Sequence, residues 1–554
     1  LINETTYGLP VAKTQRVQIS TWALSEYERL RTATKTQRVQ IITERLILLS
    51  LILYALFAPH SIAITQGAFL LGLTAWAVQM AVNRKNPLQR TPVDIALLGF
   101  FACCVVSSFL SYDPLVSVKG LRSPAFFLAF YFVSNKVRSV GFALFLAFLI
   151  VLSCLANVVA SGVQLGIGHG LRIDSIRDDS PFANRGLAVS DIILAADDQP
   201  VNSLGDLSRI IDADRGPLRI KFQRSEAVSE TLVSRRLEGS GTERLGLAIS
   251  PGRNFRVMGF YSHYETYAEV LQLIAALAVG LLIALPNKRS WKAYFLGAMI
   301  GLIAVTLILT STRAPMAGLI LAVIVMAIAS ARRRALLIVA LSVIIMAPLA
   351  YVMIERSRGI AVIDPGEGST AYRLEIWREA FGLIRDHPLV GIGKGSEGKL
   401  KDSLGLYDDG KLPPGHFHST PIQIATWWGL PALILYCSFM AIFAVEMWRL
   451  ARRLRAEQRW DLWGIALGGL GALVAFNISS LAHFNFGDGE VVMMFWLLTG
   501  LAFAVRHIAA ETHEPMQSEP RLEPPAIKHS PQNQPLQPAA IAEPNVRAAK
   551  ARPN

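Results

Sequence analysis

Apolar runs of about 18–24 residues recur along this chain between short polar or basic stretches, and each is long enough to cross a hydrocarbon core of roughly 30 Å as a helix. They predict membrane-spanning helices over residues 46–64, 65–82, 93–111, 121–134, 140–163, 264–286, 291–310, 314–330, 335–353, 419–446, 462–482 and 490–506. The fold class this implies is an all-α polytopic membrane protein of about twelve helices. The fourth run is short and contains Pro124, and only a brief stretch after Pro59 and His60 divides the first two, which suits a tight hairpin.

Two long stretches break this pattern. Residues 164–262 read as soluble: short alternating strands such as LRIDSI and PLRIKFQR, a helix around DLSRIIDA and turn residues between them predict a small inserted α+β module. Residues 354–418 contain a helix over Tyr372–Asp386, with Leu374, Trp377, Phe381 and Ile384 near helical spacing, and glycines follow at 391, 393, 395 and 398. From about residue 511 the chain is rich in Pro, Gln, Ala and Glu without apolar periodicity, a disordered tail by composition. The expected divisions are an N-terminal segment 1–44, helices over 45–163, the module at 164–250, helices over 251–353, a polar loop 354–418, helices over 419–508 and the tail 509–554.

Composition agrees: of 554 residues, 52% are hydrophobic and 17% charged. Mean hydropathy is +0.39. The net charge of +13 would suggest nucleic acid on a soluble chain. Here the basic residues cluster between apolar runs, as orientation in a membrane requires, so no nucleic-acid partner is expected. With the N-terminus inside, the basic clusters near Asn83–Arg90, Lys136–Arg138, Lys288–Lys292, Arg332–Arg334 and Arg449–Arg459 all fall on one side. Both termini are then cytoplasmic and both long polar segments lie outside, in the periplasm if the membrane is a bacterial inner membrane. Cys103, Cys104, Cys154 and Cys437 lie inside apolar runs with no CxxC spacing, which suits small buried or lipid-facing residues. KTQRVQI occurs twice, at 13–19 and 35–41, and the chain opens on Leu; no cleavable leader is expected before the first span.

Within the module, SPFANRGLAVSDIILAADDQPVNS over 180–203 resembles the core of a bacterial PDZ domain. Ser180-Pro181, Gly186, Leu187, Asp191, Ile193 and Gln199-Pro200 match, while Ser190 and Asp198 stand where that family has glycine. The resemblance implies an extended peptide added to a sheet edge as ligand, or else a spacer or docking role. The segment 166–171 and an edge strand near 245–249 are the alternatives for the peptide-binding border.

Three polar clusters meet the outer ends of spans: Arg256–Glu269, Ser311-Thr312-Arg313 between two spans with almost no loop, and His416-Phe417-His418-Ser419. An arginine set between apolar runs is costly to bury and marks a functional site, the alternative being an interface anchor. RLEIWREAFGLIRDHPLVGIGKG over 373–395 followed by HSTPIQIATWWGL over 418–430 resembles the O-antigen ligase and polymerase superfamily. Arg373, Trp377, Ala380, Asp386-His387-Pro388, the glycines 391, 393 and 395, His418 and Gly429 fill its motif; Ser419 stands where asparagine is usual. Arg256 with Gly259 and Tyr261, and Thr312-Arg313, resemble its remaining elements.

That resemblance implies a glycosyltransferase that moves a glycan from undecaprenyl diphosphate to a lipid or glycan acceptor hydroxyl. Arg256 and Arg313 would hold the diphosphate and stabilise the leaving group, since guanidinium pairs bidentately with phosphate oxygens. His418 would be the general base. Arg373, Trp377, His416, Ser419 and Tyr264 would contact substrate. No cofactor or metal is expected; the lone D-x-D, Asp212–Asp214, lies in the module. The alternatives are a polymerase of the same superfamily, which needs two diphosphate-sized sites, a protein O-oligosaccharyltransferase, a lipid-linked glycan transporter, or a scaffold built on the PDZ-like module.

Overall fold

A computed structural model describes residues 32–511 apart from 84–87, 169, 179, 181, 184, 214–215, 225–226, 234–244, 253–255, 332–367, 411 and 413–414. The expected span at 335–353, the Arg332–Arg334 cluster, the first KTQRVQI copy, Pro181, Asp214 and the tail from 512 lie outside the described residues.

Among the described residues, ten helical stretches are long and apolar enough to cross a membrane. The first helix, α1 (Lys35–Phe57), begins well before the apolar run because Thr34 and Gln37 form a capping box, so the second KTQRVQI copy is its first two turns. Helix α2 (Ile62–Asn83) follows after a four-residue corner at 58–61, and the two pack as the expected hairpin. Next come α3 (Asp94–Phe109) and a stretch, Pro114–Lys136, broken into α4 (Pro114–Gly120), a 3-10 turn (Pro124–Phe127) and α5 (Leu128–Lys136). Pro124 opens that 3-10 turn, because a proline nitrogen cannot donate to the preceding turn. Helix α6 (Val140–Ile167) leads into the inserted module.

The module is a six-stranded antiparallel sheet in the order β5-β4-β2-β1-β6, with β3 paired to β2. Its strands are β1 (Leu171–Ile176), β2 (Ile192–Ala196), β3 (Gln199–Pro200), β4 (Leu218–Arg224), β5 (Ala227–Val233) and β6 (Leu247–Pro251), and one helix, α7 (Leu204–Ala213), covers it. Ile193, Leu207, Ile210, Leu218 and Ile220 are buried in its core. The strand after residue 245 is an edge strand, while 166–171 is divided between the end of α6 and the start of β1. Ser190 and Asp198 have φ of 77° and 60°, so both glycine replacements sit in left-handed backbone where glycine is favoured. Asp191 is buried; it accepts a hydrogen bond from the Ala188 amide and pairs with Arg224 at 2.7 Å.

The chain then returns to the bundle as α8 (Tyr264–Ala284), α9 (Trp291–Leu309) and α10 (Arg313–Ser330). After the undescribed segment come α11 (Gly368–Asp386), α12 (Glu397–Leu404), α13 (Thr420–Ala456), α14 (Trp460–Ser479) and α15 (Gly489–Glu511). Helices α8, α14 and α15 are buried over most of their length and form the centre. Glycines let α8 and α14 touch: a Cβ on Gly280 would lie 2.4 Å from the Gly468 nitrogen. The outer helices instead expose apolar side chains such as Ile95, Leu98, Val106 and Val159, as lipid-facing surfaces do.

Candidate active site

The site is built around a break in α13. Gly429 adopts φ 83° and ψ 172°, so the turn Thr420–Trp428 is cut from the rest of the helix. A break frees backbone groups that need partners away from water. The loop 387–396 supplies them: the amides of Ile392 and Gly393 donate to the carbonyls of Thr426 and Trp427, each at 2.9 Å, and the Leu430 amide donates to Pro388 at 2.7 Å. The approach is too close for side chains, since a Cβ on Gly391 would stand 2.5 Å from the Thr426 carbonyl and one on Gly429 2.3 Å from that of Leu389. The DHPLVGIGKG run is therefore the plug of a broken helix. It carries Lys394, whose ammonium lies 5.2 Å from the Trp427 ring. Burial, with Arg122 adding to it, lowers the Lys394 ammonium to about 8.

Helix α11 holds the histidine segment. The Trp377 indole donates to the Phe417 carbonyl at 2.7 Å, and the Phe417 amide donates to Gln423 at 2.7 Å. Phe417 is buried, and the histidines on either side of it, His416 and His418, line a cavity of about 440 Å³. The buried face of α11 is Ile376, Ala380 and Leu383, whereas Leu374 and Phe381 are exposed. The apolar stripe expected through Leu374 and Phe381 is thus rotated, because the helix carries two stripes and contact with α13 selects one.

His418 has φ of 47°, a strained setting for a non-glycine residue. Its amide donates to His416 Nδ1 at 3.2 Å, and the two rings are 4.2 Å apart. Burial first, then the neighbouring His416, lowers the His418 imidazole to about 4. Its Nδ1 is buried with no hydrogen-bond partner among the described residues. The ring is thus neutral across the neutral range.

The rest of the cavity carries groups that the motif reading missed. Glu265 and Glu269 come from the start of α8, and His483, Asn485 and Asp488 from the turn between α14 and α15. Glu269 is 2% exposed. It accepts from Ser479 at 2.7 Å and from Asn485 at 3.4 Å, and faces His483 Nδ1 at 3.0 Å. The other nitrogen of His483 lies 3.8 Å from Glu265, which also meets Arg373 at 3.9 Å. Burial pulls the His483 imidazole down, but Glu269 and Glu265 outweigh it and leave its pKa raised. A carboxylate every fourth residue at the start of an apolar helix, facing a histidine near the end of another, was the available signal.

Arg373, His416 and His418 are thus gathered around one set of charges. Trp377 spends its indole proton on the histidine segment, and Ser419 is buried as the N-cap of α13. Arg256 and Arg313 are not among the residues lining this cavity. The Arg256 guanidinium stacks 4.2 Å from the Tyr264 ring, and the amide of Val257 donates to Leu309, just ahead of Arg313 at the first position of α10. These two arginines therefore belong to adjoining strands of structure at the end of α9, beside α8.

The fold is that of a multi-pass membrane protein, and a cavity lined by charged and polar side chains opens beside its broken helix. Residues 298–437 match the sequence model of the O-Antigen ligase family, and residues 152–231 match that of the PDZ domain. No curated protein matches the chain. Over these residues the chain is similar to the O-Antigen ligase family, which supports a membrane glycan-processing enzyme of the ligase and polymerase superfamily carrying an inserted PDZ domain. The PDZ match begins inside α6, and the sheet continues past its end to Pro251.

Proposed function

We propose that this protein transfers a glycan from undecaprenyl diphosphate to an acceptor hydroxyl on the periplasmic face of a bacterial inner membrane. The observation that carries the reading is His418: a half-buried imidazole with an Nδ1 unpartnered among the described residues, lining a cavity of charged and polar side chains, inside the motif that resembles the family's. The acceptor oxygen attacks the anomeric carbon of the donor sugar as its proton passes to a ring nitrogen of His418. The bond from that carbon to the diphosphate oxygen breaks, and its electron pair leaves on the diphosphate. Arg256 and Arg313 take up that charge, and Arg373 positions the donor beside Glu265.

The basic clusters at Lys136–Arg138 and Lys288–Lys292 favour cytoplasmic termini, with the PDZ module and the cavity outside. The module, directly before Arg256, then acts as a periplasmic docking unit for a peptide at the entrance to the catalytic body. Turnover of a purified preparation is the test: release of undecaprenyl diphosphate must depend on acceptor and persist in EDTA. Lipid A-core, free repeat units and acceptor peptides supplied in parallel separate ligase, polymerase and protein glycosylation. Donor consumption that ignores every acceptor, or stops in EDTA, sinks the reading.

A further inference from the structure

A second cavity, of about 270 Å³, abuts the first and shares Lys394 and Gly487 with it. Lys119 and Arg122 line it together with Lys394, and Glu490 is the acid that faces them. Lys119 and Arg122 have no ion pair among the described residues, although they sit in the apolar stretch Pro114–Lys136. Both side chains are exposed, so they are open to an anionic group that enters the cavity. Their placement is built. Lys394 lies across Gly120, where a Cβ would come within 2.7 Å of its Cδ, and its ammonium donates to the Gly120 carbonyl at 3.4 Å. Ser117 fixes the loop by donating to the Lys394 carbonyl at 2.9 Å. The break in α13, the plug loop and the corner at α4 therefore converge to bring three like charges to one wall. Burial first, and Arg122 after it, depress the Lys394 ammonium.

We propose that Lys119, Arg122 and Lys394 form a binding site for the phosphate or diphosphate of a second lipid-borne substrate, next to the histidine cavity. Resting on the glycosyl-transfer reading, this makes the enzyme a two-lipid transferase. One lipid phosphate is held by the arginines beside α8, the other by this cation triad, and the sugars meet across Lys394 and Gly487. A cation triad suits phosphate because several donors share its oxygens without demanding one bidentate plane.

The test is equilibrium binding of undecaprenyl diphosphate to the full chain in nanodiscs of phosphatidylcholine. Two sites per chain are expected. The double substitution Lys119→Gln with Arg122→Gln should weaken one of them by about tenfold or more and leave the other. Arg313→Ala should act on the other site alone. A single site that ignores the double substitution overturns the proposal. So does displacement from the triad by an equal amount of phosphatidylglycerol, which would make it a headgroup anchor, or by inorganic phosphate, which would make it a free-anion site. Turnover separates loss of the second site from loss of glycosyl transfer. If His418→Ala abolishes transfer while the double substitution changes neither binding nor acceptor KM, the transfer reading stands and the second site falls. Two-site binding without transfer to any acceptor reverses that outcome.

Discussion

The acid side of the pH profile is the sharpest test of the histidine cavity. An ordinary imidazole titrates near 6.5, whereas burial and the adjacent His416 bring His418 to about 4. A base works only when unprotonated, so a depressed value extends activity downward in pH. At pH 5.5 a group titrating at about 4 is roughly 97% neutral, and one at about 6.5 is roughly 9% neutral, a difference of about tenfold in active enzyme. The profile to measure is kcat/KM for the glycan donor between pH 4 and 8 at fixed acceptor, because it reports the ionisations of the free enzyme. It should stay level to about pH 5 and fall only below that. His416→Asn removes one of the lowering causes, second to burial, and should move the fall slightly upward. His418→Ala should cost roughly 10²–10⁴-fold in kcat, the usual worth of a positioned base. An acid limb centred near 6.5 would refute the burial argument, and full turnover in His418→Ala would refute the base itself.

Glu269→Gln leaves the buried His483 facing an amide and should destabilise the protein by about 3 kcal/mol, as breaking a buried charged pair does. Because the pKa of His483 is raised in the folded state, its stabilisation is complete below the unfolded value and lost as pH rises through the folded one. Thermal unfolding followed by tryptophan fluorescence should therefore show wild-type Tm declining as pH rises past the ordinary imidazole value and a flatter slope in Glu269→Gln; equal slopes would rule out the pair. Gly429→Ala places a methyl 2.3 Å from the Leu389 carbonyl at a positive φ, and should cost about 3 kcal/mol or more. Size-exclusion chromatography after detergent extraction would show aggregation, and a normal monodisperse yield would deny the plug. Ile193→Ala removes a buried side chain from the PDZ module core and should cost about 2–5 kcal/mol there. Limited proteolysis should then cut within 171–251 while the membrane helices stay protected; cleavage spread through the bundle would contradict an independent core.

Sequence alone located most of the helices long and apolar enough to cross a membrane, because an apolar run near bilayer length has no other stable place and its backbone bonds are satisfied locally. It also identified the inserted module, whose turn and core positions are local in the chain. His418 and Arg373 were legible because a motif of fixed spacing marks them. Several features were decided only by the tertiary structure. The α11 face that packs was one, since Leu374 and Ile376 head stripes of similar apolarity and only contact with α13 chooses between them. The purpose of the GxGxG run was another: its amides answer carbonyls some 34 residues later, Gly393 to Trp427, and no local pattern announces that partner. The acidic and basic walls of the site were a third. Glu269 meets His483 across 214 positions, and Lys394 meets Gly120 across 274. Chain distance carries no information about such pairs. Their cost of burial is met only when folding brings opposite charges and orphaned backbone groups together, so the chemistry of the cavity belongs to the assembled bundle.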